Sequence, residues 1–416
     1  MLLTNKQKRL KYACYASNIS MSVVGNLPPL LFITFRSLYG ISYTLLGLLV
    51  LINFSTQLLV DSLFSAFSKK INIPKLVRAM PFFTIIGFLI YSASPIIFAD
   101  SVFVGLVIGT VIFSAGSGLA EVLVSPIVAS IPSENPDHEM SKLHSIYAWG
   151  VVGVIAISTV FLFTAGGGAW WCLPIIFTLL PIAACILFFS TDIPNFKEEN
   201  TAGVKTGSVM RDKKFWLCVF AIFLGGAAEC TMAQWCSGYI EKALGIEKIW
   251  GDVFGAALFG LMLGLGRTLY AKRGKSIEKI LFLGAIGSSI CYLLAALSGS
   301  PIVGLIACAV TGLCTSMLWP GCLIVVAKHF PAGGVFIYAM MAAGGDLGAS
   351  VSPQLTGIVT DLVSTSGFAL SLAEKTGLAV EQIGMKCGIL TGAIFSVIAV
   401  FVYLKILKIS KSANTR

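Results

Sequence analysis

The chain has 416 residues, of which 56% are hydrophobic and 12% are charged, and its mean hydropathy is +0.90. This composition excludes a water-soluble globular protein and indicates an integral membrane protein. The net charge of +10 needs no nucleic-acid partner, because basic residues that flank membrane spans and contact anionic lipid account for it. The eleven cysteines are scattered without a Cys-x-x-Cys pair, which predicts free thiols, no metal site and no cofactor.

Twelve apolar runs are long enough to cross a hydrocarbon core of roughly 30 Å, which takes about 20 helical residues. They predict an all-α membrane fold, because they are too long for barrel strands and lack a two-residue alternation. No cleavable signal peptide is expected, since the basic segment Met1–Lys11 leads directly into a full-length span. The predicted spans cover residues 12–36, 41–66, 77–99, 102–130, 142–164, 170–190, 215–240, 252–271, 277–297, 301–327, 334–361 and 386–408.

The distribution of basic residues predicts the orientation. The termini and the loops on their side hold 24 of the 29 Lys and Arg residues, and the opposite side holds five. The positive-inside rule therefore predicts a protein of the cytoplasmic membrane with both termini in the cytoplasm. A polar linker at 191–214 is expected to join an N-terminal six-helix bundle, 1–190, to a C-terminal one, 215–416.

The first two spans carry two polar residues of interest. Asn26 lies midway along the first span, in Gly25-Asn-Leu-Pro-Pro29, where the prolines predict a helix break whose freed carbonyls could face a cavity. Asp61 lies near the end of the second span, and Arg267 lies at the matching point of the eighth. We expect these two to pair with each other or with helix termini across the two halves. That role is gating, and neither residue is expected to bind substrate.

The fourth span carries the sharpest signal, because Glu121 is the ionisable residue inside the apolar run Ser101–Pro132. A carboxylate at such depth costs on the order of 2.5–3.5 kcal/mol, so it persists where it faces protein, water or a ligand. Helical spacing places Ser114, Ser117 and Ser125 on the same face. We interpret Glu121 as a proton carrier or an acceptor for a sugar hydroxyl. The alternative is a packing seam of small residues with a satisfied carboxyl.

In the fifth span, His144 and Tyr147 are three residues apart and share a helical face. For His144, gating near the membrane boundary and ligand binding are both open. In the seventh span, Glu229 is followed by Gln234 and Trp235. An amide and an indole suit a polyhydroxylated ligand, through hydrogen bonds to hydroxyls and an aromatic face against a sugar ring. A structural role for this group is the alternative.

The tenth and eleventh spans contribute Trp319 and Asp346. Trp319-Pro320 occupies the duplicate position of Ala120-Glu121, so an aromatic wall opposite Glu121 is open, although packing is the favoured interpretation. Asp346 lies midway along the eleventh span among glycines, which indicate close helix approach or bending. Cation coupling and structural capping of a bent helix are equally open for this aspartate.

The two halves resemble each other. Residues 105–132 align without gaps to 304–331 with six identities in 28 positions, and Asp61-Ser-Leu-Phe64 matches Arg267-Thr-Leu-Tyr270. Duplicated six-span halves are typical of secondary transporters, in which the substrate site lies near the bilayer midplane. With its basic loops after spans two and eight, the whole chain resembles the major facilitator superfamily.

Within that superfamily, Ala115-Gly-x-Gly-x-x-Glu121-x-x-x-x-Pro126 resembles the fourth helix of the fucose and glucose/galactose permease branch. The resemblance implies that Glu121 handles sugar and proton, and that Tyr147 stands where those permeases carry a substrate-site asparagine. It also implies a shared cavity surface formed by Asn26, Glu121, Glu229 and Trp319. The chain departs from the branch at its first helix, where Asn26 replaces the expected carboxylate, and this leaves proton symport, sodium coupling and uniport open.

The sequence therefore predicts a secondary active transporter, and not an enzyme, that moves a sugar-like solute by alternating access with H+ or Na+. The chain has three histidines and no HExxH or nucleophile–base pattern. A monomer in the lipid bilayer is expected. The alternatives are an exporter of amphipathic compounds, of the drug-efflux type, and a membrane sensor that does not transport.

Overall fold

The computed structural model describes residues 4–67, 72–134, 136–193, 209–273, 276–330 and 334–414, and these residues form helices without any strand. The helices are α1 Asn5–Leu30, α2 Phe32–Tyr39, α3 Tyr43–Phe67, α4 Ile73–Ile97, α5 Val102–Ser130, α6 Pro136–Ala165, α7 Cys172–Phe177, α8 Leu179–Phe189, α9 Lys213–Leu244, α10 Lys248–Gly251, α11 Leu258–Arg273, α12 Ile277–Leu297, α13 Pro301–Thr315, α14 Leu318–His329, α15 Gly334–Ser364, α16 Gly367–Thr376 and α17 Val380–Asn414. A π-helix, Asp252–Ala257, joins α10 to α11. Most of the predicted linker at 191–214 lies outside the described residues.

The described residues contain ten spans that are long and apolar enough to cross a membrane, and up to twelve when each of two bent helix pairs counts as one span. The first pair, α1 with α2, bends by 46°, and the second, α15 with α16, bends by 74°. The all-α membrane fold is therefore confirmed. Helix α16 was not predicted from the sequence, and it lies in the stretch between the last two predicted spans.

Prolines account for the interrupted spans. A proline lacks the backbone N–H, and its ring clashes with the carbonyl of the residue four positions earlier. The bend between α1 and α2 follows Pro28 and Pro29, as the sequence predicted. The tenth predicted span is divided between α13 and α14 just before Pro320, which frees the carbonyl of Ser316 from the helical ladder.

The chain divides into two compact units. Unit 1 comprises Met1–Ile41 and Ile52–Asn200, and unit 2 comprises Ser42–Leu51 and Thr201–Arg416. In unit 1, α4 packs along α5, and α1 packs against α5, α6 and α8. Small residues permit this approach: Gly87 on α4 lies against the backbone of Phe113 on α5, and a Cβ there would collide with it.

In unit 2, α9 is the central helix and packs against α15 and α17. Its core includes the fully buried Phe215, Ile222, Leu281, Leu318 and Tyr403. Glycines again bring two backbones together, because a Cβ at Gly348 of α15 would collide with the Phe223 carbonyl of α9. The glycines around Asp346 thus mark a close helix approach, which was one of the two interpretations left open.

The first turn of α3 belongs to unit 2 because its backbone donors are capped by α15. The Asp361 carboxylate accepts hydrogen bonds from the backbone N–H groups of Tyr43, at 3.2 Å, and Thr44, at 2.6 Å. The Tyr43 hydroxyl donates to the Glu381 carboxylate of α17 at 2.8 Å. A helix N-terminus has unpaired N–H groups and a partial positive charge, so an anion there is stabilising.

Asp361→Ala is expected to destabilise unit 2, because it removes the anion and both acceptors from the first turn of α3. Loss of a side-chain cap costs about 1 kcal/mol and up to about 2 kcal/mol. The unfolding temperature can be measured in detergent with a thiol-reactive dye, since cysteines such as Cys218 and Cys308 are buried until the protein unfolds. Glu374→Ala, at an exposed position of α16, is the matched control and should unfold with the wild type. Equal unfolding temperatures for all three proteins would contradict this capping role.

Candidate functional site

A line of polar side chains connects α3 and α5 inside unit 1. Asn53 and Gln57 of α3 are buried and hydrogen-bonded to each other at 3.0 Å, and the Asn53 oxygen also accepts from the Ser114 hydroxyl of α5 at 2.6 Å. One turn further, a Cβ at Gly118 would lie 3.2 Å from the Gln57 Cα, so the two helices are in direct contact there. We call this set, together with the carboxyls that follow it, the α3–α5 seam: Asn53, Gln57 and Asp61 on α3, and Ser114, Gly118 and Glu121 on α5.

Asp61 and Glu121 form the next step of the seam. Asp61 follows Gln57 by four residues and Glu121 follows Gly118 by three, so each lies one helical turn beyond the contact. The two carboxyls interact electrostatically, and the buried Oδ1 of Asp61 has no hydrogen-bond partner among the described residues. The Glu121 side chain is exposed. Because a carboxylate does not persist against lipid, its exposure indicates contact with water or a ligand.

The serines of the predicted polar face of α5 do not all lie in the same environment. Ser114 belongs to the seam, whereas Ser117 is buried and lines a small cavity between α1, α4, α5 and α8, together with Ser17 and Thr84. Helical spacing alone placed Ser114 and Ser117 beside Glu121. The structure separates Ser117 from the seam because α4 packs closely on that side of α5.

Asn26 and Tyr147 lie at the same level of α1 and α6. A Cβ at Gly25, the neighbour of Asn26, would lie 3.5 Å from the Tyr147 hydroxyl oxygen. Asn26 is half-buried, and its amide donates to the Ser22 carbonyl of its own helix at 2.9 Å, which leaves the amide oxygen for another donor. The side chain of His144 lies outside the described residues.

Unit 2 contains an ion pair between α9 and α11. The Arg267 guanidinium donates to the Glu229 carboxylate, with an Nη2–Oε1 distance of 3.1 Å. Its Nε donates to the Ser316 carbonyl at 3.1 Å. That carbonyl is the one released from the helical ladder by Pro320, so the break between α13 and α14 supplies the second acceptor for Arg267.

Asp346 and Trp319 lie near this pair. Asp346 is buried, and the charges of Asp346, Glu229 and Arg267 all act on Cys230, which places the three in one polar region of unit 2. The ring of Trp319 lies directly over Gly345 and Gly226, where added Cβ atoms would meet it. Trp319 therefore has the packing contacts that the sequence analysis favoured.

Gln234 and Trp235 do not present the surface predicted for sugar stacking. The Trp235 side chain is 1% exposed, donates from Nε1 to the Pro353 carbonyl at 3.0 Å, and packs with Tyr43 at a ring-centroid distance of 5.8 Å. Gln234 is also buried. Trp235 is therefore a core residue of unit 2 in this structure, because α9 turns its indole toward α15.

The two residues expected to act in gating, Asp61 and Arg267, each have a contact within their own unit. Asp61 interacts with Glu121 in unit 1, and Arg267 pairs with Glu229 and Ser316 in unit 2. Asn53 and Gln57 were not predicted from the sequence as site residues. Their signal was present, because polar residues at positions 53, 57 and 61 repeat every four residues within an apolar span.

Residues 13–353 match the family description Major Facilitator Superfamily. The chain belongs to the major facilitator superfamily. This confirms the superfamily resemblance inferred from the twelve spans, the duplicated halves and the basic loops after spans two and eight, and it places the protein among multi-pass membrane transporters and not among enzymes. No curated protein matches the sequence.

Solved structures of this superfamily share the fold at low sequence identity. A variant of the nucleoside transporter NupG is 13% identical, with a TM-score of 0.73 over 97% of this chain and 100% of that one. The D-xylose-proton symporter is 14% identical, with a TM-score of 0.67 over 94% and 96% of the two chains. A variant of the E. coli fucose:proton symporter FucP is 16% identical, with a TM-score of 0.57 over 93% and 98%.

Proposed function

We propose that the protein is a secondary active transporter that imports a small polyhydroxylated solute, a sugar or a nucleoside, together with a proton by alternating access. The observation that carries this proposal is Glu121, a carboxyl inside a membrane-spanning helix that is exposed and has no ion-pair partner among the described residues. A carboxyl in such a place can bind and release a proton, which is the property that coupling to a proton gradient requires.

The choice of solute class is supported by the hydrogen-bonding groups of unit 1. Asn26 has an amide oxygen available, Tyr147 has a hydroxyl at the same level, and Glu121 has a carboxyl on α5. Groups that both donate and accept hydrogen bonds suit hydroxyl-rich ligands. Proteins with similar structures are described as a nucleoside transporter, a D-xylose-proton symporter and a fucose:proton symporter, which motivates testing both solute classes.

The proposal includes the membrane and the orientation. The excess of Lys and Arg on the side of the termini supports a cytoplasmic membrane location with both termini in the cytoplasm. Import against a gradient then requires the proton to enter with the solute. We propose a monomer as the transporting species, because the sequence of a single chain predicts both six-span halves.

The test is uptake into proteoliposomes that contain the purified protein. Labelled hexoses, pentoses and nucleosides are offered under an inward proton gradient and, separately, under an inward sodium gradient. We expect accumulation of members of one class above the external concentration under the proton gradient alone. Accumulation driven by sodium alone would refute proton coupling, and efflux of amphipathic dyes without uptake of any sugar or nucleoside would support an exporter instead.

A further inference from the structure

The seam between α3 and α5 fixes the relative position of two carboxyls. Asn53 and Ser114 are hydrogen-bonded across the two helices, and Gln57 meets Gly118 one turn later. Both helices continue in the same direction through this contact, since α3 and α5 each enter from the side predicted to be external. The next turn therefore brings Asp61 and Glu121 to facing positions, and their charges interact.

No cation neutralises this pair among the described residues. The basic groups on the helices packed against α5 are engaged elsewhere or exposed. Lys11 of α1 bonds to Glu139 of α6, which holds the pKa of the Glu139 carboxyl below its usual range, and Arg78 of α4 donates to the carbonyls of Phe188 and Thr191. Near the same end of these helices, Lys6 of α1 is paired with Asp192, and Lys8, Arg9, Lys75 and Lys142 are the other described basic side chains. The remaining titratable side chains described there are Tyr12, Cys14, Tyr15 and Cys185.

We propose that Asp61 and Glu121 share one proton, so that Asp61 is the second carboxyl of the proton-binding site. This inference rests on the proposed proton coupling and adds a residue to it. Two neighbouring carboxylates repel each other when both are ionised, and one proton held between them removes that repulsion. Proton loading converts the doubly charged pair to a singly charged one, and release reverses the step.

Asn53, Gln57 and Ser114 act as positioning residues for the pair. Their hydrogen bonds are buried, so they hold α3 and α5 in one register, whereas the buried Oδ1 of Asp61 has no hydrogen-bond partner among the described residues. The α3–α5 seam is therefore buried and hydrogen-bonded at Asn53 and exposed at Glu121. Such an arrangement admits water to one carboxyl and keeps the other partly buried, which favours a shared proton over two independent ones.

The proposal is tested with N,N′-dicyclohexylcarbodiimide, which reacts with protonated carboxyl groups in apolar surroundings. Purified protein is labelled over a pH series and the modified residues are quantified by mass spectrometry. For the wild type we expect one label per protein, distributed between Asp61 and Glu121. In Asp61→Asn, loss of the neighbouring charge should lower the pH at which Glu121 labelling is half-maximal by one unit or more. At a fixed pH above the midpoints of wild type and variant, this shift reduces the labelling of Glu121 at least tenfold.

A second variant, Glu121→Gln, tests the same interaction from the other carboxyl and can be used if Asp61→Asn folds poorly. Glu121→Gln should lower the labelling midpoint of Asp61 by a similar amount, because the coupling between two sites acts equally in both directions. Glu139→Gln is the control, since Lys11 already neutralises that carboxyl, and it should leave the midpoints at Asp61 and Glu121 unchanged. Unchanged Glu121 midpoints in Asp61→Asn, or two labels per protein at neutral pH, would overturn the shared proton. The assay needs no substrate, so its outcome is independent of whether uptake is observed.

Discussion

Glu121→Gln is expected to abolish accumulation of the solute against its gradient while exchange of solute across the membrane continues. Glutamine keeps the size and hydrogen-bonding capacity of the side chain but does not bind and release a proton at physiological pH. A pH difference of one unit stores about 1.4 kcal/mol, which one-to-one coupling converts into roughly tenfold accumulation. In the variant, the ratio of internal to external solute should fall to about one under the same gradient.

The measurement compares proton-driven uptake with counterflow of labelled solute in the same proteoliposomes. Asp100→Asn is the matched control, because Asp100 is an exposed carboxyl in the same unit, in the turn before α5. It should accumulate solute as the wild type does. Accumulation by Glu121→Gln at the wild-type level would refute the proton-carrying role of Glu121, whereas loss of both uptake and counterflow would place Glu121 in solute binding.

The fold was predictable because membrane insertion imposes simple rules. In the hydrocarbon, nearly every backbone N–H and C=O is paired within its own helix, so length and hydropathy are sufficient to find the long helices. Breaks in a helix could be predicted where proline causes them, as at Pro28 and Pro29. The short helix α16 was not predicted, because its exposed apolar residues Phe368 and Leu370 are too few to form a recognisable span.

The site was only partly predictable, because helical periodicity shows which residues share a face but not which neighbour that face meets. Glu121 was identified from the free-energy cost of a carboxylate in an apolar run, but its interaction with Asp61 was not predicted, because Asp61 was expected to pair with Arg267 or with helix termini. Asp361 gave no local signal at all, since the backbone donor it caps at Tyr43 is 318 residues away in sequence. Trp235 is a tryptophan, a residue type that suits a sugar site, but it lies on the face of α9 that packs into the core of unit 2.

Arg267→Met is expected to destabilise unit 2 strongly, because it leaves the buried Glu229 carboxylate without its counter-charge and the Ser316 carbonyl without its donor. Removal of one partner from a buried ion pair typically costs about 3–5 kcal/mol. The lower end of that range applies here, since the Arg267 side chain is 44% exposed and that of Glu229 is 13% exposed. The unfolding temperature, read with the thiol-reactive dye, should fall well below that of Lys279→Met, a matched change at an exposed lysine of α12.

The unequal exposure of the two partners makes the effects of the single variants unequal. Glu229→Gln leaves the cation partly solvated and still bonded to the Ser316 carbonyl, so it should be much milder than Arg267→Met. The double variant should recover part of the loss, because a neutral pair has no buried charge to compensate. Arg267→Lys should be intermediate, since an ammonium lacks the planar fork that reaches both acceptors. A double variant no more stable than Arg267→Met would show that the Ser316 carbonyl, and not Glu229, is the partner that Arg267 stabilises.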